Sequence, residues 1–163
     1  MKALYAIAAA ACLPLTAQAG PVTPREVQFV LQDYGAEIVS SKRVSETAHM
    51  INARSNGRPM FVRLDECDKF DECGIVVLFT SFQIDKPIDE ETLRKTNKFN
   101  DSYPIGRAFV FPEEAGDDPA STSNLIGIDY VIDVSGESVV DGGDLQRFEK
   151  AVETYVRYWG SGS

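Results

Sequence analysis

Hydrophobic positions recur along this chain with two different periods, and the places where the period changes separate predicted helices from predicted strands. The first predicted element is a helix over residues 24–34, where apolar residues repeat at helical spacing. Thr23 and Glu26 supply a capping box at its start, and Gly35 is the residue type that commonly follows a helix. These local signals predict a short amphipathic helix at the beginning of the folded chain.

The period then shortens to two, which is the repeat of a strand with one buried face. Four strands are predicted before the next helix, over residues 36–42, 48–54, 59–65 and 74–84. Asn56-Gly57, between the second and third strands, is the dipeptide most typical of a tight β-hairpin. The fourth strand is apolar on both alternations, so we expect both of its faces to be covered, in the centre of the sheet or at an interface.

The second half of the chain repeats this alternation of helix and strand. A second helix is predicted over residues 89–100, and it begins with acidic residues that suit the helix dipole. Strands over residues 105–111 and 124–134 follow, and Asp144 is the expected cap of a last amphipathic helix. The order α-β-β-β-β-α-β-β-α predicts an α+β fold, with an antiparallel sheet and helices packed against it.

The N-terminal residues have the layout of a secretory signal peptide. Lys2 gives a short positive start, residues 3–13 form an apolar run, and small residues end at Ala19. We therefore expect cleavage after Ala19, export to the periplasm or out of the cell, and a single domain over residues 20–163. A retained amphipathic anchor and a lipid on Cys12 are the alternatives. The apolar run is too short to span a bilayer, so stable membrane insertion is not expected.

Charge and composition narrow the range of partners and cofactors. The 163 residues contain 16 Lys and Arg against 25 Asp and Glu, which gives a net charge of −9. An acidic surface repels phosphate backbones, so nucleic-acid binding is not expected. One histidine and three cysteines cannot build most zinc sites, and the chain contains no Rossmann, P-loop or EF-hand pattern. The sequence therefore points to no metal and no cofactor.

Two cysteines, Cys67 and Cys73, remain after the predicted cleavage. In an exported protein such a pair most simply forms one disulfide. The alternative is a redox site, but the spacing is not that of thiol oxidoreductases, and the surrounding acids raise the pKa of a thiol. We expect a structural disulfide that closes a short loop between the third and fourth strands.

The second helix carries amides where apolar residues would be expected. Leu93, Thr96, Asn97 and Asn100 share the face that is predicted to pack on the sheet. Buried amides are costly unless they are hydrogen-bonded, so we expect a specific bond to a neighbouring backbone edge beside Arg107. This polar group acts either as a pin for the strand register or as a recognition site.

No catalytic residue is predicted. His49 is the one imidazole available as a base. A histidine in a strand more commonly has a structural role, in which its ring is hydrogen-bonded to the backbone. No Gly-x-Ser-x-Gly turn supplies a nucleophile for it. The acidic run 113–118 has oxygen atoms for a weak calcium ion, but it lacks the alternating spacing of a calcium loop, which favours a solvated surface loop.

Several short motifs follow one another along the chain, namely Asn56-Gly57, Cys67…Cys73, Asn97-Lys98-Phe99-Asn100, Ile105-Gly106-Arg107 and Gly142-Gly143. Together they resemble the exported branch of the YbjN domain family, whose members are described as bacterial sensory transduction regulators, and the resemblance covers residues 22–159. It implies a fold similar to the class I type III secretion chaperones, small α+β domains that often dimerise and bind extended polypeptide. It lends no catalytic residues, and the predicted export separates this chain from the cytoplasmic chaperone role.

These observations fit three functions. The leading one is a non-enzymatic regulatory module that binds a protein or peptide partner through a sheet edge or a helix–sheet groove, with a homodimer as a further expectation. The second is a binder of a small apolar ligand, in a pocket between the last helix and the sheet lined by Phe109, Tyr155 and Trp159. The third is an enzyme built on His49, for which the sequence suggests no reaction.

Overall fold

A computed structural model describes residues 20–111, 124–136 and 139–160, and it confirms the predicted α+β class and the order of the elements. The helices are α1 (Pro24–Asp33), α2 (Glu90–Ser102) and α3 (Gly142–Gly160). The strands are β1 (Glu37–Ser45), β2 (Ala48–Ser55), β3 (Arg58–Asp65), β4 (Ile75–Ile84), β5 (Arg107–Phe111) and β6 (Asn124–Asp133).

Local sequence signals account for the first helix and the second hairpin. The Thr23 hydroxyl accepts a hydrogen bond from the backbone N–H of Glu26, and the Glu26 carboxylate accepts one from the backbone N–H of Thr23, so the predicted capping box is confirmed. Asn56 and Gly57 have φ angles of +52° and +76°, as the mirror-image turn of a tight hairpin requires. Both features therefore follow from a few adjacent residues.

The six strands form one antiparallel sheet in the order β1-β2-β3-β4-β6-β5. Strand β4 pairs with β3 on one side and with β6 on the other, so its predicted central position is confirmed. Strands β1 and β5 are the two edges of the sheet.

The described helices all bury their apolar sides on the same face of the sheet. Val27 of α1, Phe99 of α2 and Leu145 of α3 belong to one buried cluster with the strand residues Val76 and Leu78. The alternate side chains of the strands point to the opposite face, which we call the open face because no described helix covers it. The sheet and its helices therefore make two layers.

Within the described chain, one face of β4 is covered and the other is not. Val76 and Leu78 are fully buried under the helices, whereas Val77 and Phe79 on the open face stay partly exposed. Strand β4 is apolar on both alternations because it crosses the middle of a sheet whose open face is itself rich in apolar side chains.

The buried face of α2 differs from the predicted one. Thr92, Thr96 and Phe99 are buried, while Leu93 is 45% exposed and Asn97 is exposed. The rotation follows from the aromatic side chain, because the Phe99 ring packs edge-on against Tyr155 of α3 at a centroid distance of 5.2 Å.

The start of α3 also differs from prediction, because Asp144 is not the cap. The helix begins at Gly142, and the Asp141 carboxylate accepts a hydrogen bond from the backbone N–H of Asp144 at 3.0 Å. The Asp144 carboxylate accepts one from the backbone N–H of Asp141 at 3.1 Å. Asp141 is therefore the capping residue, and Asp144 completes a reciprocal pair three residues later.

The predicted signal peptide over residues 1–19, with Cys12, and the acidic run 113–118 lie outside the described residues. Across the parts of the chain that are described, no helix has both the length and the apolar character needed to cross a membrane.

Candidate functional site

Cys67 and Cys73 form a disulfide that closes the loop between β3 and β4. Both cysteines are buried and belong to the hydrophobic core. Val22 exchanges two backbone hydrogen bonds with Cys73, of 3.0 Å and 2.9 Å, so the first described residues are tied to the same place. The disulfide therefore anchors both ends of a short loop and the segment that leads into α1.

The loop between the cysteines, residues 67–73, is braced from within and from outside. The Asp68 carboxylate accepts hydrogen bonds from the backbone N–H groups of Phe70 and Glu72, at 2.7 Å and 3.0 Å. Arg43 of β1 donates to the Asp71 carboxylate at 2.6 Å and to the carbonyl of Asp68 at 2.8 Å. A disulfide, an acidic side chain and a guanidinium thus hold the backbone of this loop in one conformation.

Phe70 projects from this braced loop. Its side chain is 68% exposed, the highest value among the exposed large hydrophobic residues of the described chain. The Lys69 ammonium lies 4.9 Å from the centroid of the Phe70 ring. The loop therefore presents an aromatic ring, with carboxylates on both sides of it in the sequence, on a backbone that is already ordered.

The open face of the sheet holds a shallow groove of about 410 Å³. Its lining combines apolar side chains with two ion pairs, namely Met50, Val77, Phe79, Phe109 and Phe111 with Arg63, Asp65, Arg107 and Asp129. The Phe79 ring stacks on Phe61 at a centroid distance of 5.2 Å, and Phe109 and Phe111 lie 4.9 Å apart.

Gly127 of β6 makes room for the aromatic rings on the open face. A Cβ at this position would lie 2.3 Å from the Phe109 ring and 2.5 Å from the carbonyl oxygen of Thr80. The Phe109 ring therefore lies directly over the backbone of β6, which only glycine permits.

The two ion pairs of the open face differ in burial. Arg107 donates to Asp129 at 2.7 Å, with the Asp129 side chain 8% exposed and that of Arg107 72% exposed. The hydrogen bond and charge of Asp129 raise the pKa of Arg107. Arg63 donates to Asp65 at 2.9 Å nearer to solvent. The second oxygen of Asp129, Oδ1, is buried with no hydrogen-bond partner among the described residues.

Asn100 of α2 sits against the free edge of β5. Its Oδ1 accepts a hydrogen bond of 2.7 Å from the backbone N–H of Ala108, and its Nδ2 donates one of 3.1 Å to the carbonyl of Ala108. Since β6 pairs with the other side of β5, this amide takes the place that a further strand would occupy.

The three residues predicted as one polar group are therefore separated. Asn100 closes the β5 edge, Arg107 points to the open face toward Asp129, and Asn97 is exposed on α2.

The residues predicted to line an apolar pocket do not share a cavity, which corrects that expectation. Phe109 lines the groove on the open face, whereas Tyr155 is fully buried on the helix side, beside Trp159. The sheet separates them because Ala108, the neighbour of Phe109, is the residue of β5 that points into the core. Burial raises the pKa of the Tyr155 hydroxyl.

His49 lies on the helix side of β2 in a hydrogen bond with Ser41. Its Nε2 is 2.9 Å from the Ser41 hydroxyl, to which the Gln28 amide also donates. Its Nδ1 is buried and has no partner in the described part of the chain, so no carboxylate orients the ring. Burial lowers the pKa of His49, against the opposing charge of Asp71.

Sequence reasoning missed Phe70, Arg43 and the open face. The odd-numbered apolar residues of β4 and β5 carried a signal for an exposed aromatic face. No signal linked Arg43 to Asp71, because the two residues are brought together only by the pairing of distant strands.

Comparison with known proteins places the chain in a family. The family model of YbjN, described as "Putative bacterial sensory transduction regulator", matches residues 23–140. A similar solved structure is described as "Crystal structure of YbjN, a putative transcription regulator from E. coli"; it shares 14% identity and a TM-score of 0.49, over 85% of this chain and 91% of that chain. No curated protein matches the chain significantly. Because the family model covers well over half of its residues, this chain belongs to the YbjN family.

Proposed function

We propose that this member of the YbjN family is an exported, non-enzymatic regulatory module, and that it recognises a protein partner with the braced loop 67–73. The observation that carries the proposal is the position of Phe70, an aromatic side chain exposed to water on a loop that is held by a disulfide, by Asp68 and by Arg43.

Rigid loops that present an aromatic side chain suit protein recognition for a physical reason. Ordering a flexible loop on binding costs free energy, and a loop that is already fixed avoids that cost. An aromatic ring supplies a large apolar area with few rotatable bonds, which is why such residues dominate binding energies. In this chain the disulfide and Arg43 fix the loop, and Phe70 supplies the ring.

The charges around Phe70 indicate the chemistry of the partner. Asp65 and Asp71 are paired with arginines within the chain, and Asp68 accepts hydrogen bonds from the loop backbone. The exposed Glu66 and Glu72 are the acidic residues of this segment that remain to meet a partner. A matching surface has an apolar pocket for the ring and Lys or Arg side chains on the pocket's rim.

Two further observations support the non-enzymatic and exported parts of the proposal. The Ser41–His49 pair lacks an orienting carboxylate, and the Gln28 amide already donates to the Ser41 hydroxyl. A buried disulfide suits an oxidising compartment. Export is tested by the mass of the protein isolated from cells, which is expected to begin at Gly20.

The partner is tested by photocrosslinking in living cells. A benzophenone amino acid replaces Phe70 in one protein and Phe29 in another; Phe29 is a matched control, since it is 57% exposed on α1. We expect a crosslinked protein of defined mass from position 70 only. With the purified partner, Phe70→Ala should weaken binding by about tenfold or more. Equal crosslinking from both positions, or none from position 70, overturns the proposal.

Loosening the loop provides a second test of the same idea. The double variant Cys67→Ala and Cys73→Ala keeps Phe70 but removes the covalent closure. It should reduce the yield of the position-70 crosslink several-fold while the fold, monitored by circular dichroism, persists.

A further inference from the structure

We propose that the open face is the interface of a homodimer, in which the sheets of two copies of this chain pack face to face. This surface is distinct from the loop of the proposed function.

The open face has the side-chain chemistry of an interface core. Phe61, Phe79, Phe109 and Phe111 lie on it in two contacting pairs, and Phe111 is 55% exposed. Val131 of β6, which pairs with Val77, is 53% exposed. Exposed aromatic and aliphatic side chains gathered on one face, with polar groups among them, are typical of a surface that binds another protein.

The charge distribution favours a second copy over a basic partner. The groove holds Arg63 and Arg107 together with Asp65 and Asp129, so its charges cancel, while the chain as a whole carries −9. A basic partner is attracted to the acidic remainder of the surface. Two copies of an acidic chain repel each other there, and the neutral groove is where they meet without repulsion.

The groove of each copy carries both signs of charge, with Arg63 and Arg107 beside Asp65 and Asp129. In a two-fold contact, residue i of one copy meets residue j of the other and the reverse, so an arginine placed opposite an aspartate of the partner makes the same pair twice.

The area of the face matches what a stable dimer needs. Six strands about 4.8 Å apart, each about 8 residues long with a rise of about 3.3 Å per residue, give a face of roughly 750 Å². Stable interfaces bury about 800 Å² on each partner. The open face of one chain is therefore sufficient by itself.

The alternative route of edge-to-edge pairing is obstructed at both sides of the sheet. Asn100 occupies the backbone groups of Ala108, in the first half of β5. Strand β1 has irregular register between Ile38 and Ser40 and between Arg43 and Ser45, which disrupts the straight ladder that a new strand would need. Two copies are therefore expected to associate through their open faces.

The test is sedimentation equilibrium of the full chain as the cell processes it, over about a hundredfold range of concentration. We expect a monomer–dimer equilibrium that tightens as salt is raised, because salt screens the repulsion between the acidic surfaces. Val131→Lys should raise the dissociation constant by about tenfold or more. Val156→Lys, at a valine that is 41% exposed on α3, is the matched control and should leave it unchanged.

A chain that stays monomeric at every concentration overturns the proposal, and so does equal weakening by Val131→Lys and Val156→Lys. Circular dichroism of each variant establishes that the fold persists. Phe70→Ala should leave the dimer intact; if it abolishes the dimer instead, the loop is the self-association site and the open face is not. Failure of the dimer leaves the crosslinking result at position 70 unaffected.

Discussion

The two faces of the sheet are built by the same strands, yet their side chains differ in burial and in polarity. On the helix side the strand residues Val62, Leu64, Val76 and Leu78 are all fully buried and apolar. On the open face aromatic rings alternate with ion pairs, and the exposed fraction reaches 53% at Val131. One face is closed within the chain, whereas the other keeps polar groups among exposed apolar side chains.

This difference shows how a sheet separates stability from recognition. Apolar side chains without polar atoms pack in any matching volume and supply free energy of folding. Ion pairs among aromatic rings add little stability but define orientation and charge. Alternation along a strand therefore lets adjacent residues serve different purposes.

Substitutions at two adjacent residues of β6 should show the largest difference in the free energy of unfolding. Ile132 is 8% exposed on the helix side, and Ile132→Ala should lower the free energy of unfolding by about 2 to 5 kcal/mol, because it leaves a cavity in the core. Val131→Ala, on the open face, should change it by less than about 0.5 kcal/mol. Urea denaturation at concentrations where the chain is monomeric measures both, and equal losses would contradict the distinction between the faces.

At the β5 edge of the sheet, two substitutions in α2 should differ by an intermediate amount in their effect on the free energy of unfolding. Asn100→Ala leaves the backbone N–H and carbonyl of Ala108 without partners and should cost about 1 to 3 kcal/mol. Asn97→Ala, on the exposed side of the same helix, should cost less than about 0.5 kcal/mol. Hydrogen exchange at the Ala108 amide should accelerate in the first variant alone; unchanged exchange would show that Asn100 does not close this edge.

The smallest effect is expected from pH. Burial lowers the pKa of His49 below 6.5, so the unfolded chain binds this proton more readily than the folded one. Stability from this group is therefore complete above pH 6.5 and is lost as the pH falls through the lowered pKa. Because His49 is the one histidine in the chain, its imidazole signal in an NMR titration reports the pKa directly. A midpoint at or above 6.5 would contradict the burial of this ring on the helix side.

Those parts of the fold that depend on neighbouring residues were predictable from the sequence. The capping box of Thr23 and Glu26 and the Asn56-Gly57 turn each involve residues at most three positions apart. The order of elements followed from changes of period, and the central position of β4 followed from its apolar character on both alternations.

The rest depended on contacts between distant residues. The face of α2 was set by Phe99 packing on Tyr155, a residue of another helix, and not by the amides in its sequence. The open face was missed because an apolar alternation has the same pattern whether a helix covers it or not. Phe109 was placed with Tyr155 because composition does not reveal on which side of a sheet each aromatic side chain falls.

The amide of Asn100 has a consequence for the size of any assembly. A strand added at an edge leaves a new edge behind it, so growth of that kind has no natural end and leads to fibres. Asn100 obstructs such growth at Ala108 of β5, and the irregular register of β1 obstructs it at the other edge. A dimer formed through the open faces, as proposed above, would therefore not extend into a fibre through added strands.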